Sequence, residues 1–304
     1  MFPDIPKITV RIISYNQEVV ICRALDSLIA QKDYLYEICI NDDCSSDETY
    51  NVLLDYQRRF PDLVKPFRND HNLGIFQNIE ASWKLITGDI VYNMAGDDEA
   101  GEGYFKAIID YIKNEKIDYL NELFCIYGDY KVINPDGRSF IFTNRMASSH
   151  DALKLKVRNL LSNRSACYSK KVLDKFEKVS SGHSFNAEMI QDCQLALFAE
   201  KNCYIPVIGN IYYAGIGVSS HMSKEEQREN IFEGYQRLTD FVTSHGHPFD
   251  KKDLAFISFL KAYRAQNYVQ AIKYYLASID LSLGIRGFSL DRILFVLKKR
   301  TTFH

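Results

Sequence analysis

At 304 residues, 46% of them hydrophobic, the chain is long enough to bury a sizeable core as one large domain or one domain with an appendage. Its net charge of -2 excludes the global basic character of a nucleic-acid binder, so no nucleic acid is expected as a partner. The cysteines (Cys22, Cys39, Cys44, Cys125, Cys167, Cys193 and Cys203) are odd in number and lack a CxxC pair, which reads as reduced, buried thiols of a cytosolic protein rather than a disulfide framework or zinc site.

The opening MFPDIPKITV has neither a basic n-region nor an apolar h-region, so no signal peptide is expected. No apolar run reaches the ~18–20 residues that span a bilayer. KITVRIISYN (7–16) reads as a first strand and VVICRALDSLIA (19–30) as a helix with Val20, Ala24, Leu25 and Leu28 on one face. YLYEICI (34–40) is a second strand. The helix after it takes Ser45 or Ser46 as N-cap, acids in its first turn, and Pro61 as its stop. LVKPF (63–67) reads as a third strand, at an edge because of Pro66. Gly74 opens a helix through Trp83, Gly88 ends that segment, DIVYNMA is a fourth strand, and a helix follows at 103–114.

Strands alternating with helices predict an α/β fold, a doubly wound and mostly parallel sheet whose ligand site lies at the carboxyl ends of the strands. The second half predicts an antiparallel hairpin about the turn NPDG (134–137), helices at 151–161, 169–178 and 187–200, and a strand-rich stretch from Cys203. Beyond 224 it predicts helices at 224–243, 251–265 and 267–282. The segment 287–300 sets Phe288, Ile293, Leu294 and Leu297 against Arg292, Lys298, Lys299 and Arg300. It reads equally as a final packed helix or as an interfacial helix on an anionic membrane.

Three polar clusters fall at the strand ends. Tyr15 and Asn16 follow the first strand, where an aromatic ring can lie on a nucleobase or simply pack. Asp42 and Asp43 end the second, where a carboxylate can accept from a base or ribose, or hold a turn. Asp97, Asp98 and Glu99 follow the fourth within NMAGDDEA. Crowded like charges beside a core need a positive partner, and hard carboxylate oxygens suit Mn²⁺ or Mg²⁺ completed by phosphate oxygens. The alternative for these acids is a solvated turn that caps the next helix.

The order ISYN, INDDCSSDET, HNLGIFQN and ITGDIVYNMAGDDE, over most of residues 7–100, resembles the family 2 glycosyltransferases of the GT-A fold. The resemblance implies an inverting transferase that moves a sugar from a nucleoside diphosphate sugar, with uridine diphosphate favoured, to a hydroxyl of a glycan or lipid-linked acceptor at the cytoplasmic face of a membrane. It implies that Tyr15 stacks on the base, that Asp42 contacts the base with Asp43 and Asn16 beside it, and that Asn72 and Gly74 also belong to the donor site. It further implies that Asp97 binds the ribose or sugar side, that Asp98 is the direct metal ligand, and that His221 touches the metal or diphosphate. FNAEMIQDCQLALFAE (185–200) resembles the family's base-bearing segment, with Gln191 where an acid is usual, so Asp192 is the expected general base and Glu188 the alternative. Domains are expected at 1–222 (a nucleotide-sugar-binding half to 115, an acceptor and base half after it) and 223–304, a helical extension. A nucleotidyltransferase and a dehydrogenase are disfavoured because ISYNQEVVICRA has no glycine to grip phosphates. A non-catalytic nucleotide-sugar-binding relative stays open as an alternative.

Overall fold

The first strand, β1 (Ile8–Ser14), parts its side chains by the period of two that an extended chain imposes. Ile8, Val10 and Ile12 enter one apolar core, and Thr9 and Arg11 turn to the opposite face. In this computed structural model the described residues are 5–149, 151–158, 160–178, 186–216, 234, 237–247, 249–264 and 267–279.

Beside β1 lie β2 (Glu37–Asp42), β3 (Val64–Arg68) and β4 (Ile90–Ala95), all parallel, in the order β3-β2-β1-β4. The remaining strands are β5 (Glu99–Ala100), β6 (Phe124–Ile133), β7 (Ser139–Phe142), β8 (Ala166–Ser169) and β9 (Lys201–Tyr213). They continue the same sheet as β4-β8-β6-β9-β5, and β7 pairs with β6. The helices are α1 (Ile21–Ile29), α2 (Thr49–Arg59), α3 (Ile75–Trp83), α4 (Tyr104–Asn114), α5 (Ala152–Val157), α6 (Lys170–Leu173), α7 (Asn186–Phe198), α8 (Lys251–Arg264) and α9 (Tyr268–Ala277). α1, α2 and α4 cover the face bearing Ile8, Val10 and Ile12, and α5 and α7 help close a second core around Val91, Cys125 and Tyr127. Helices on both faces of a mostly parallel half-sheet are the expected doubly wound plan.

Most expected elements form where the pattern placed them. Pro66 lies in β3, which is an edge strand, and Gly137 adopts φ +80° in the NPDG turn, which joins β6 to β7. Three local expectations are corrected. Ser45 does not cap α2: its hydroxyl and N–H both go to Asp42, and the helix starts at Thr49 with Glu48 as N-cap and no acid in its first turn. The helices expected over 151–161 and 169–178 shrink to α5 and α6. Between them runs β8, buried along its whole length and inserted between β4 and β6. α8 and α9 form the expected helical hairpin. It is tied to the end of α5 by Arg158, which donates to Asp253 Oδ1 at 2.8 Å and to the carbonyl of Ser278 at 2.7 Å. The expected domain boundary at 222 and the basic segment 287–300 lie outside the described residues. Among the described residues no helix is long and apolar enough to cross a membrane.

The amino-terminal end of the parallel strands is held by one carboxylate. Buried Glu37 of β2 accepts from Thr9 Oγ1 of β1 at 2.8 Å, from Lys65 Nζ of β3 at 2.6 Å, and from the N–H of Thr87 before β4 at 2.8 Å. Burial pushes this carboxyl up, but Lys65, Thr87 and Thr9 together outweigh burial and hold it below the ordinary glutamate range. A group with a depressed folded pKa stabilises the fold above its unfolded pKa, and that stability is lost as pH falls through the folded value. Glu37→Ala is therefore expected to cost about 3–5 kcal/mol in denaturant unfolding at neutral pH, because it orphans donors from β1, β3 and the loop before β4. Glu37→Gln should cost less and should flatten the loss of stability that the unmodified chain shows below about pH 4.5.

Candidate active site

β4 delivers the acidic triplet to the carboxyl edge of the sheet, and the turn after Ala95 leads directly into β5. The acids do not cap a helix: α4 begins at Tyr104, behind Gly103, with no acid in its first turn. Two arginines meet the triplet instead, one at its ends and one at its middle residue. Arg23 of α1 donates to the carbonyl of Asp97 at 2.6 Å, lies 3.2 Å from Glu99 Oε1, and stacks 3.6 Å from the centre of the Tyr213 ring. Arg164, from the loop before β8, reaches Asp98 Oδ2 at 3.2 Å and stacks 3.7 Å from the Tyr212 ring. Asn210 Nδ2 donates to the same Oδ2 at 3.3 Å.

Asp98 is 2% exposed. Burial pushes its carboxyl up to about 6. Arg164 opposes that push, the neighbouring Asp97 adds to it, and Asn210 and the backbone of Tyr213 oppose it. A carboxyl shifted this far beside a specific charge partner, on a residue lining a cavity, is a candidate functional residue.

Asp98 lines a cavity of 310 Å³ shared with Asp192 of α7. The two acids were expected from segments almost a hundred residues apart, and the fold sets them around one space. Asp192 Oδ2 is held by Lys156 Nζ of α5 at 2.6 Å, and its carbonyl accepts from Asn163 Nδ2 at 2.8 Å. One wall is aromatic, with Trp83 edge-on to Phe176 and Phe176 stacked on Tyr168. Three polar atoms belonging to lining residues are buried without a partner: Gln191 Nε2, Asn163 Oδ1 and Asn210 Oδ1. Buried polar groups are normally satisfied, so unpaired ones around a cavity mark where a ligand or water belongs.

The other expected residues gather at the same sheet edge but do not line that cavity. Tyr15 is 43% exposed just past β1. Asn16, at φ 50°, accepts from the N–H of Ser46. Asp42 is fully buried, accepting from Ser14 and Ser45 and facing Arg68 Nε at 3.6 Å. Asp43 accepts from Asn69 and from the N–H groups of Leu73 and Gly74, each at 2.8 Å. Asn72 also accepts from Gly74, whose φ of +80° turns the chain into α3. Glu188 is in the first turn of α7, with its side chain outside what is described, and His221 lies outside the described residues. Cys193 is no nucleophile, since burial pushes its thiol up to about 12. The arginines and Asn210 were missed because their neighbourhoods carry no motif.

The family model described as Glycosyl transferase family 2 matches residues 9–175. An uncharacterized glycosyltransferase of Nostoc sp. is 30% identical over 131 residues, covering 42% of this chain and 40% of that protein. An uncharacterized protein of Mycobacterium tuberculosis is 36% identical over 87 residues, or 28% of this chain and 25% of its own length. The matches thus span a quarter to two-fifths of these relatives. Among solved structures, Staphylococcus aureus TarS 1–349 in complex with UDP-GlcNAc superimposes with a TM-score of 0.58 at 17% identity, covering 96% of this chain and 79% of that one. The mannosyltransferase PcManGT of Pyrobaculum calidifontis, in complex with GDP-Man and Mn²⁺, gives 0.55 at 14% identity, covering 97% and 79%. These likenesses show the GT-A fold.

The raised pKa of Asp98 has a measurable consequence. Between its unfolded value near 4 and its folded value of about 6 the folded state holds the proton more tightly, so this group's contribution to stability falls as pH rises through that window. The melting temperature of Asp98→Asn, relative to the unmodified chain, is therefore expected to climb between pH 4 and pH 7. A flat difference across that range would show that Asp98 titrates as an ordinary surface acid.

Proposed function

Because the chain belongs to glycosyl transferase family 2, we propose that it moves a sugar from a nucleoside diphosphate sugar to an acceptor hydroxyl with inversion at the anomeric carbon. The observation that carries this reading is the single cavity lined by both Asp98 and Asp192. The donor class draws support from the fold neighbours, whose structures contain UDP-GlcNAc, UDP or GDP-Man. Uridine diphosphate remains the favoured carrier, and a glycan or lipid-linked sugar at the cytoplasmic face of a membrane the favoured acceptor, both on family resemblance.

The residues around Asp98 fit Mn²⁺ or Mg²⁺. Arg164 and Asn210 both donate to Asp98 Oδ2, and Asn210 Oδ1 is an orphaned hard oxygen on the residue next to it. Asp98 would hold the ion, which neutralises charge on the departing diphosphate. Arg164, partly exposed and facing the same cavity, adds a fixed positive charge on that side. Asp192 takes the acceptor proton while the acceptor oxygen bonds to the anomeric carbon and the bond to the diphosphate breaks. Lys156 and Asn163 fix where that carboxylate sits. Tyr15 offers the exposed face on which a base can stack. Asn16, Asp42, Asp43, Asn72 and Gly74 act on the donor by shaping the two loops beside it. Direct base contact by Asp42 gives way to this positioning role, because its carboxylate is fully buried and already engaged. Asp97 faces the sugar side of the donor.

Release of UDP from a panel of UDP-sugars, measured with acceptor glycans and Mn²⁺, tests the reading. Asp98→Ala and Asp192→Asn should each lower turnover by roughly 10²-fold or more while the circular dichroism spectrum is kept. EDTA should abolish turnover and Mn²⁺ restore it. Turnover above a tenth of the unmodified level in either variant would overturn the assigned roles.

A further inference from the structure

Arg11 is the unusual residue of this cavity. It sits mid-strand in β1, is 7% exposed, and lines the space shared by Asp98 and Asp192. Its guanidinium donates through Nε to Asn93 Oδ1 at 2.8 Å and through Nη1 to Ser82 Oγ at 3.1 Å, both neutral groups. Among the described residues it has no carboxylate partner. The two lining carboxylates are each occupied elsewhere, Asp98 by Arg164 and Asp192 by Lys156. Burial lowers the Arg11 pKa against an opposing contribution from Tyr168, yet a guanidinium stays protonated in a protein. An uncompensated buried cation is costly, and buried charges are ordinarily paired. A second lining donor, Gln191 Nε2, is buried and lacks an acceptor, on a residue 8% exposed.

We propose that this cavity recognises a carboxylate-bearing sugar, with Arg11 supplying the ion pair and Gln191 a hydrogen bond. The inference rests on the glycosyl-transfer reading for the word sugar, but the demand for an anion comes from Arg11 alone. The donor's diphosphate is a poor match for this demand. Arg11 is in register with Asn93, two residues short of the Ile13–Ala95 pair, which places it about 7 Å below the strand ends that Asp98 lies beyond. A carboxylate suits the site because its two oxygens match the planar guanidinium fork. The aromatic wall of Trp83, Phe176 and Tyr168 offers apolar faces of the kind that pack against a sugar ring. The acid group belongs either to the transferred sugar or to the acceptor.

Isothermal titration of the full chain separates these sources. In the donor arm, UDP-glucuronic acid is compared with UDP-glucose in the presence of Mn²⁺. In the acceptor arm, methyl β-D-glucuronide is compared with methyl β-D-glucoside, with UDP and Mn²⁺ present. The acidic member should bind at least tenfold more tightly in one arm. Arg11→Gln should shrink that preference below threefold while the affinity for UDP stays within twofold. Arg11→Lys, which keeps the charge and loses the fork, should retain an intermediate preference and serves if Arg11→Gln does not fold. Absence of a preference in both arms, its survival in Arg11→Gln, or an equal loss of UDP affinity in that variant would overturn the proposal. If the unmodified chain bound no UDP, the glycosyl-transfer reading would fail by itself, and the two methyl glycosides without nucleotide would decide the role of Arg11.

Discussion

A carboxylate buried at the end of a core strand is unstable as an anion unless something positive answers it. Asp98 is that carboxylate, and the cavity end of the fold is organised around answering it. Arg164 comes from the loop before β8 and Asn210 from β9, so the part of the chain that extends the sheet beyond β4 also completes the electrostatics of the site. Even so, the carboxyl remains well above its ordinary range. A cation held at Asp98, as proposed above, would meet a ligand that the protein has only partly neutralised.

The same tension recurs along one face of the sheet. At the bottom, Glu37 is fully answered by β1, β3 and the loop before β4, so it is structural. In the middle, Arg11 is answered only by neutral oxygens. At the top, Asp98 is answered by one guanidinium, one side-chain amide and the backbone of Tyr213. The opposite face, with Ile8, Val10, Ile12 and the buried sides of α1, α2 and α4, carries the packing energy and leaves the polar face free for chemistry.

Much of this was legible in the sequence. The strand–helix alternation, the edge position of Pro66, the NPDG hairpin and the gathering of Tyr15, Asp42 and Asp98 at one edge all follow from local periodicity and turn chemistry. The joining of Asp98 and Asp192 in one site was implied by the family resemblance, not by any local pattern. What was illegible is what long-range pairing decides. Arg164 and Arg23 reach the acids across 66 and 76 residues, and no local pattern marks them. β8 has four residues buried on every side, so ACYS shows no alternation to separate it from the flanking helical turns. Ser45 sits where a helix cap belongs, but the buried Asp42 needs its hydroxyl and N–H more than α2 does. Arg11 did leave a signal: a single charge in the apolar run ITVRII. Its meaning depends on Asn93, Ser82 and the cavity, which only the fold brings together.

The central claim is that Asp98 gathers a cation and the donor's phosphates into the space that Asp192 faces from α7. Crystals grown with UDP and Mn²⁺, examined by anomalous scattering at the manganese edge, address it directly. The account predicts one manganese peak within bonding distance of an Asp98 oxygen, bridged to the diphosphate, with the uracil ring on Tyr15. Manganese and UDP bound away from that cavity, with Asp98 still closed on Arg164, would contradict it.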